Sequence, residues 1–236
     1  MILLLTASWF VFQDAQHALS APARWRGRDW ALACGVAGAG TALFLVDEPV
    51  RSWNLDHRSE SSLWLADKFD YAGNGLWMSA GLGSISLAAR LTGHQDLAEA
   101  GVVGLESWIG AGLIVQLIKH TLGRARPYAQ EGPASFHGFT NETSYMSMPS
   151  GHAAVAFGGL GGFGMATGNF WVLSGCLGLA TGVAWARVHQ DKHWSSDVFC
   201  GAVIGLGVAA GVSSAHAKRS RAQGLGFEGG RVIYRF

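Results

Sequence analysis

The chain has 236 residues, a formal net charge of +1, 49% hydrophobic residues and only 14% charged ones. Near-neutral charge argues against a nucleic-acid partner, and the length allows one domain or two. The 34 glycines follow no collagen period and suit closely packed membrane helices, although a mean hydropathy of +0.21 keeps an all-helical soluble protein in play.

The first 12 residues are apolar and as long as a signal-peptide core, but no positive region precedes them. Residues 1–24 are read as an uncleaved interfacial or partial segment, with a signal-like segment as the alternative, whose cleavage would place Arg24–Arg28 outside and invert the topology given below. Six apolar stretches follow, at 30–46, 76–91, 97–118, 153–167, 170–186 and 198–215. Several fall short of the ~20 residues that cross a bilayer core, and their flanks make up the difference. The expected architecture is all-α, a six-transmembrane-helix bundle over residues 25–216. A basic and then Gly-rich tail, 217–236, should form a loop or short hairpin.

Arg24, Arg26 and Arg28 precede the first stretch, and Lys218, Arg219 and Arg221 follow the last. Six spans place both ends on one side, and the positive-inside rule makes that side cytoplasmic. The acid-rich loop 47–74 then faces outward, with Asp47, Glu48, Asp56, Glu60, Asp67 and Asp70. The expected location is a bacterial inner membrane, multi-pass. Cys34, Cys176 and Cys200 are scattered through apolar segments, which predicts small core residues and neither a disulfide framework nor a zinc site.

Glu99 and Glu106 are seven apart and share a helix face. Glu99 reads as interfacial; Glu106 is deeper, in either a structural hydrogen bond or a substrate path. Trp30, Trp171, Trp185 and Trp194 stand at segment ends, as interfacial belts do. Trp194 has a substrate contact as its alternative.

Three clusters carry chemistry. Lys119 closes the third stretch, and Arg126-Pro127 follows after six residues. Lys supplies a point charge and Arg a planar fork of donors that matches phosphate oxygens. For Lys119 alone, snorkelling to the interface is the simpler reading, and Arg124 reads as solvated or headgroup-facing. Pro149-Ser150-Gly151-His152 opens the fourth stretch. Ser150 is a natural N-cap, Gly151 admits a close oxygen, and the helix start favours an anion. His152 exchanges a proton near neutral pH. In the third cluster, five residues separate Arg187 from His193 and three separate His193 from Asp197. On a helix His193 and Asp197 would share a face, so that the carboxylate orients one ring nitrogen and frees the other to attack. His189 between them reads as a polar loop residue.

Together these clusters resemble those of the type 2 phosphatidic acid phosphatase superfamily, which includes bacterial acid phosphatases and vanadium haloperoxidases. The family pattern is Lys-x6-Arg-Pro, Pro-Ser-Gly-His and Ser-Arg-x5-His-x3-Asp. Only Ala186 departs from it, where the family usually has Ser. The resemblance implies that Lys119, Arg126 and Arg187 hold the phosphate oxygens, with hydrogen bonds from Ser150 and Gly151. It implies that His193 is the nucleophile, oriented by Asp197, and that His152 protonates the leaving group and then activates water. Three fixed cations would stand in for a metal, so no cofactor is expected. The implied activity is hydrolysis of a membrane lipid phosphomonoester or diphosphate, at a site on the outward-facing helix ends. Candidate substrates are undecaprenyl diphosphate, phosphatidylglycerol phosphate, phosphatidate and lipid A phosphates. A lipid phosphotransferase, a vanadate-dependent haloperoxidase and a silent membrane protein are the alternatives.

Overall fold

Each of the six apolar stretches forms the body of one helix. In a computed structural model of the chain, residues 26–223, 225–228 and 231–234 are described. The segment 1–24, with Arg24, lies outside them. Among the described residues the helices are α1 (Gly27–Leu45), α2 (Asp47–Asp56), α3 (Glu60–Gly73), α4 (Gly75–Leu91), α5 (Gln95–Leu122), α6 (Gly151–Ala166), α7 (Phe170–His189) and α8 (Ser195–Gln223). Two 3-10 turns, Pro127–Ala129 and Thr143–Tyr145, lie between α5 and α6. The tail forms an antiparallel hairpin of β1 (Leu225–Glu228) and β2 (Arg231–Tyr234), with Leu225 opposite Tyr234.

The stretch 47–74 is largely helix rather than the expected loop. Its apolar content is too low for a core segment, but its caps are strong. The Ser59 hydroxyl accepts from the Ser62 amide and the Ser62 hydroxyl accepts from the Ser59 amide, a reciprocal cap that starts α3. Asn74 caps α4 by accepting from the Leu76 amide. Helix α2 leaves α1 at a 55° bend.

Helices α5, α7 and α8 are long and apolar enough to cross a membrane, and α1 with α2 makes a fourth if that bent pair is one span. Helices α4 and α6, with 17 and 16 residues, reach roughly 25 Å at 1.5 Å per residue, short of a full bilayer core.

The packing is inverted relative to a water-soluble bundle. Helix α6 packs against α5, α7 and α8 and buries Ala153, Ala154, Ala156 and five glycines. Large side chains instead point outward: Leu45, Leu91, Leu113, Leu117, Phe170 and Trp171 are all at least 65% exposed. Small residues let backbones approach, while lipid tails solvate the large ones. Cys34, expected in the core, is on the exposed face of α1.

Helix directions alternate, so one end of the bundle collects the last turns of α1, α5 and α7 and the first turns of α6 and α8. Helices α2 and α3 pack there against the last turns of α7, through Asn54 and Ser62 on His189 and Asp70 on Arg187. At the other end His216 of α8 bonds Glu106 at 2.8 Å and Glu99 at 3.2 Å. Glu106 is thus in a structural hydrogen bond, roughly 20 Å along α5 from Lys119 at 1.5 Å per residue.

Candidate active site

Helix ends deliver the site. Lys119 stands in the last turn of α5, which Gly123 closes in the left-handed conformation at φ 63°. A Cβ at Gly123 would lie 2.6 Å from the His137 carbonyl, so only glycine turns the chain there. Arg126 then heads the first 3-10 turn, and its guanidinium donates to the Thr143 carbonyl. Ser150 caps α6 by accepting from the Ala153 amide. Gly151 and His152 form the first turn of α6, and Arg187 stands in the last turn of α7.

His193 is buried among these groups. Burial, followed by the charges of Lys119, Arg126, Arg187 and His152, holds its imidazole well below the usual histidine range. Contacts join these groups: Lys119 and Arg126 both donate to the Met146 carbonyl, the His193 amide donates to the Arg187 carbonyl at 3.3 Å, Asp70 pairs with Arg187 and stands beside His152, and a Cβ at Gly151 would lie 3.6 Å from Lys119 Cε. Arg126 is itself lowered, first by desolvation. Lys119 Nζ donates to the Met146 carbonyl at 2.6 Å. His193 Nδ1 and Arg187 Nε are buried without a hydrogen-bond partner among the described residues. His152 and Asp70, each about one-third exposed, form the mouth.

The relation of His193 to Asp197 differs from the expected helix pair. His193 lies in the turn before α8, not on it. Its Nδ1 is 3.6 Å from Asp197 Oδ2, longer than a hydrogen bond. Asp197 is fully buried, and Ser147 Oγ at 2.5 Å and the Trp194 amide at 2.9 Å donate to its Oδ2. Nδ1 still faces the carboxylate, so Nε2 is the ring nitrogen turned away from Asp197.

Sequence reasoning missed three participants. Arg124 is fully buried, not solvated, and bonds Asp197 at 2.6 Å and Asp47 at 2.8 Å. Asp47 and Asp70 belong to the stretch read as an outward acidic loop. Asp70 pairs with Arg187 Nη1 and stands 3.6 Å from His152 Nε2. No local spacing links these residues, because 73 to 117 positions separate the partners. The available signal was an acid at the end of an apolar stretch, a costly place for an unpaired charge. His189 is not a loop residue: it ends α7, buried, with Nδ1 on Asn54 and Nε2 on Ser62. Trp194 is neither interfacial nor a substrate contact, since it is 1% exposed and donates to the Ala125 carbonyl.

A profile of the PAP2 superfamily matches residues 101–221, just over half the chain and all three clusters. The chain belongs to the PAP2 superfamily. Its relatives include lipid A 1-phosphatases. Those from Rhizobium johnstonii and Rhizobium etli are each 31% identical over 110 residues, 42% of this chain and 44% and 47% of theirs. One from Porphyromonas gingivalis is 31% identical over 97 residues, 40% of this chain and 19% of its own. The chain thus spans less than half the length of the curated relatives it matches. A transmembrane PAP2-type phosphatidylglycerolphosphate phosphatase from Bacillus subtilis shares the fold, with a TM-score of 0.56 at 18% identity over 78% of this chain and 96% of that one. Family, fold and apolar helices agree on a multi-pass membrane protein built as a helix bundle, with the tail hairpin outside it.

Proposed function

We propose that this PAP2 protein is a lipid phosphatase that works through a phosphohistidine on His193. The supporting observation is the gathering of Lys119, Arg126, Arg187, His152 and His193 at one end of the bundle, through the shared Met146 carbonyl, the His193–Arg187 backbone bond and Asp70 between Arg187 and His152. Phosphoryl transfer needs positioning and neutralisation of equatorial charge more than bond-making by the protein. Three cations with the Ser150 hydroxyl and Gly151 amide supply both. Neutral His193 Nε2 attacks phosphorus as the bond to the lipid oxygen breaks, and His152 gives that oxygen a proton. Water then attacks the phosphohistidine, His152 takes the water's proton, and inorganic phosphate leaves with His193 regenerated. Asp197 steadies the positive charge that develops on the His193 ring.

The substrate is a lipid phosphomonoester or diphosphate reaching the pocket from the outer leaflet. The named relatives make a lipid A 1-phosphate the first candidate, ahead of undecaprenyl diphosphate, phosphatidylglycerol phosphate and phosphatidate. All six apolar helices would span the bilayer, with the short α4 and α6 tilted little and extended by their flanks. Phosphate release from these four lipids in detergent, with EDTA present, tests the reading. At least one lipid should turn over without metal. Loss of turnover on chelation, restored by added metal, would sink it.

A further inference from the structure

Asp197 is held by a charge network that the three clusters do not contain. Arg124 Nη1 donates to Asp197 Oδ1 at 2.6 Å and to Ser196 Oγ at 2.8 Å. Its Nη2 donates to Asp47 Oδ2 at 2.8 Å, and its Nε to the Pro133 carbonyl at 2.8 Å. Asp47 in turn accepts from Ser195 Oγ at 2.6 Å, the Ser196 amide at 2.9 Å and Ser196 Oγ at 2.5 Å. All three charged side chains are fully buried. The guanidinium also lies over the rings of Phe44, Trp194 and Phe136, at 4.7, 5.6 and 5.8 Å.

An exposed ion pair is worth little, but three charges in a dry interior are costly unless each is paired and aimed. Two carboxylates and one guanidinium leave a net charge of −1. The face of that network not taken up by Arg124 is Asp197 Oδ2, which lies opposite His193 Nδ1. A single negative charge there complements the positive charge His193 gains as it takes up phosphorus. With Nδ1 3.6 Å away, Asp197 depends on neighbours to keep it aimed until the contact tightens.

We propose that Arg124 and Asp47 are positioning residues for Asp197, setting the direction and net charge of the carboxylate behind His193. The proposal rests on the phosphatase reading above. It also ties the junction of α1 and α2, where Asp47 sits, to the reacting centre. Only arginine fits position 124, because two separate carboxylates need a fork, and a lysine ammonium is one point charge.

Purified full-length protein, with p-nitrophenyl phosphate as probe, tests this through Arg124→Lys and Asp47→Asn. Arg124→Lys should lower kcat about tenfold or more, the scale seen when a partner that orients a functional side chain is lost. Asp47→Asn, which touches no reacting group and keeps size but removes the charge and turns one accepting oxygen into a donor, should lower kcat several-fold. In both, the inhibition constant of inorganic phosphate should stay within about twofold, because Lys119, Arg126 and Arg187 are untouched. If Arg124→Lys does not fold, Asp47→Asn decides alone. Wild-type kcat in the folded variants, or kcat and phosphate inhibition failing together, overturns the positioning role. Wild-type protein that releases no p-nitrophenol overturns the phosphatase reading first, and this proposal with it.

Discussion

At the scale of single residues, the site sets its two histidines at different depths, one buried and one at the mouth. His193 is 3% exposed, and burial and nearby cations hold its imidazole well below the usual histidine range, which suits the proposed nucleophile. His152 is at the mouth, beside Asp70, where a leaving oxygen and a water can both reach it. Loss of each should therefore fail at a different step. His193→Ala removes the nucleophile and should give no covalent phosphoenzyme. His152→Ala should still be phosphorylated by p-nitrophenyl phosphate, whose leaving group needs little protonation, and then hydrolyse slowly. General acid–base help is worth roughly 10²–10⁴ in rate, so the intermediate should accumulate. Acid-labile 32P labelling from the labelled ester distinguishes them. Wild-type labelling of His193→Ala would move the nucleophile elsewhere.

At the scale of elements, two glycines of α8 set the distance between the halves of the site. A Cβ at Gly201 would lie 2.5 Å from the Ser150 carbonyl, and one at Gly205 would overlap the Ala154 carbonyl oxygen. The neighbours are backbone and cannot swing away. Gly201 and Gly205 are four apart, the spacing that lets two membrane helices touch. Helix α6 carries His152 and α8 begins beside His193, so any separation there opens the pocket. Gly205→Ala should destabilise the folded protein by about 1–3 kcal/mol, as overpacking does, and lower turnover. Gly207→Ala on the same helix has nothing within 4 Å and serves as control. Equal melting temperatures in detergent for the two variants would refute this packing role. Much at this scale was legible in the sequence. Apolar runs marked the six long helices, and Ser150 marked the start of α6. Helices α2 and α3 were not legible, because mixed polar composition resembles a loop until the caps at Ser59 and Asn74 are paired. The helical placement of His193 was wrong for a related reason. Residue spacing fixes a face only once the helix start is known, and α8 starts two residues later.

At the scale of the whole molecule, the inside-out packing points to a lipid environment, and charge at the far end predicts an orientation. The bundle hides alanine and glycine and presents leucine, phenylalanine and tryptophan, which water would penalise and lipid accepts. Arg26 and Arg28 stand at the start of α1, and Lys218 and Arg219 near the end of α8, both at the end away from the site. The three cations of the pocket run against the loop-charge rule on the other side, as groups held for an anionic ligand would. Those flanking charges were readable from the sequence. That Arg124 belongs neither to them nor to the solvent was not, because its buried partners Asp47 and Asp197 lie 77 and 73 residues away. The pocket should therefore face outward. Single cysteines at Asn141, in the exposed connection beside the site, and Lys218, on the exposed far end of α8, test this once Cys34, Cys176 and Cys200 are replaced. An impermeant maleimide on intact cells should label position 141 and spare 218 until the membrane is opened. The reverse pattern would invert the protein and place the proposed lipid phosphate in the inner leaflet.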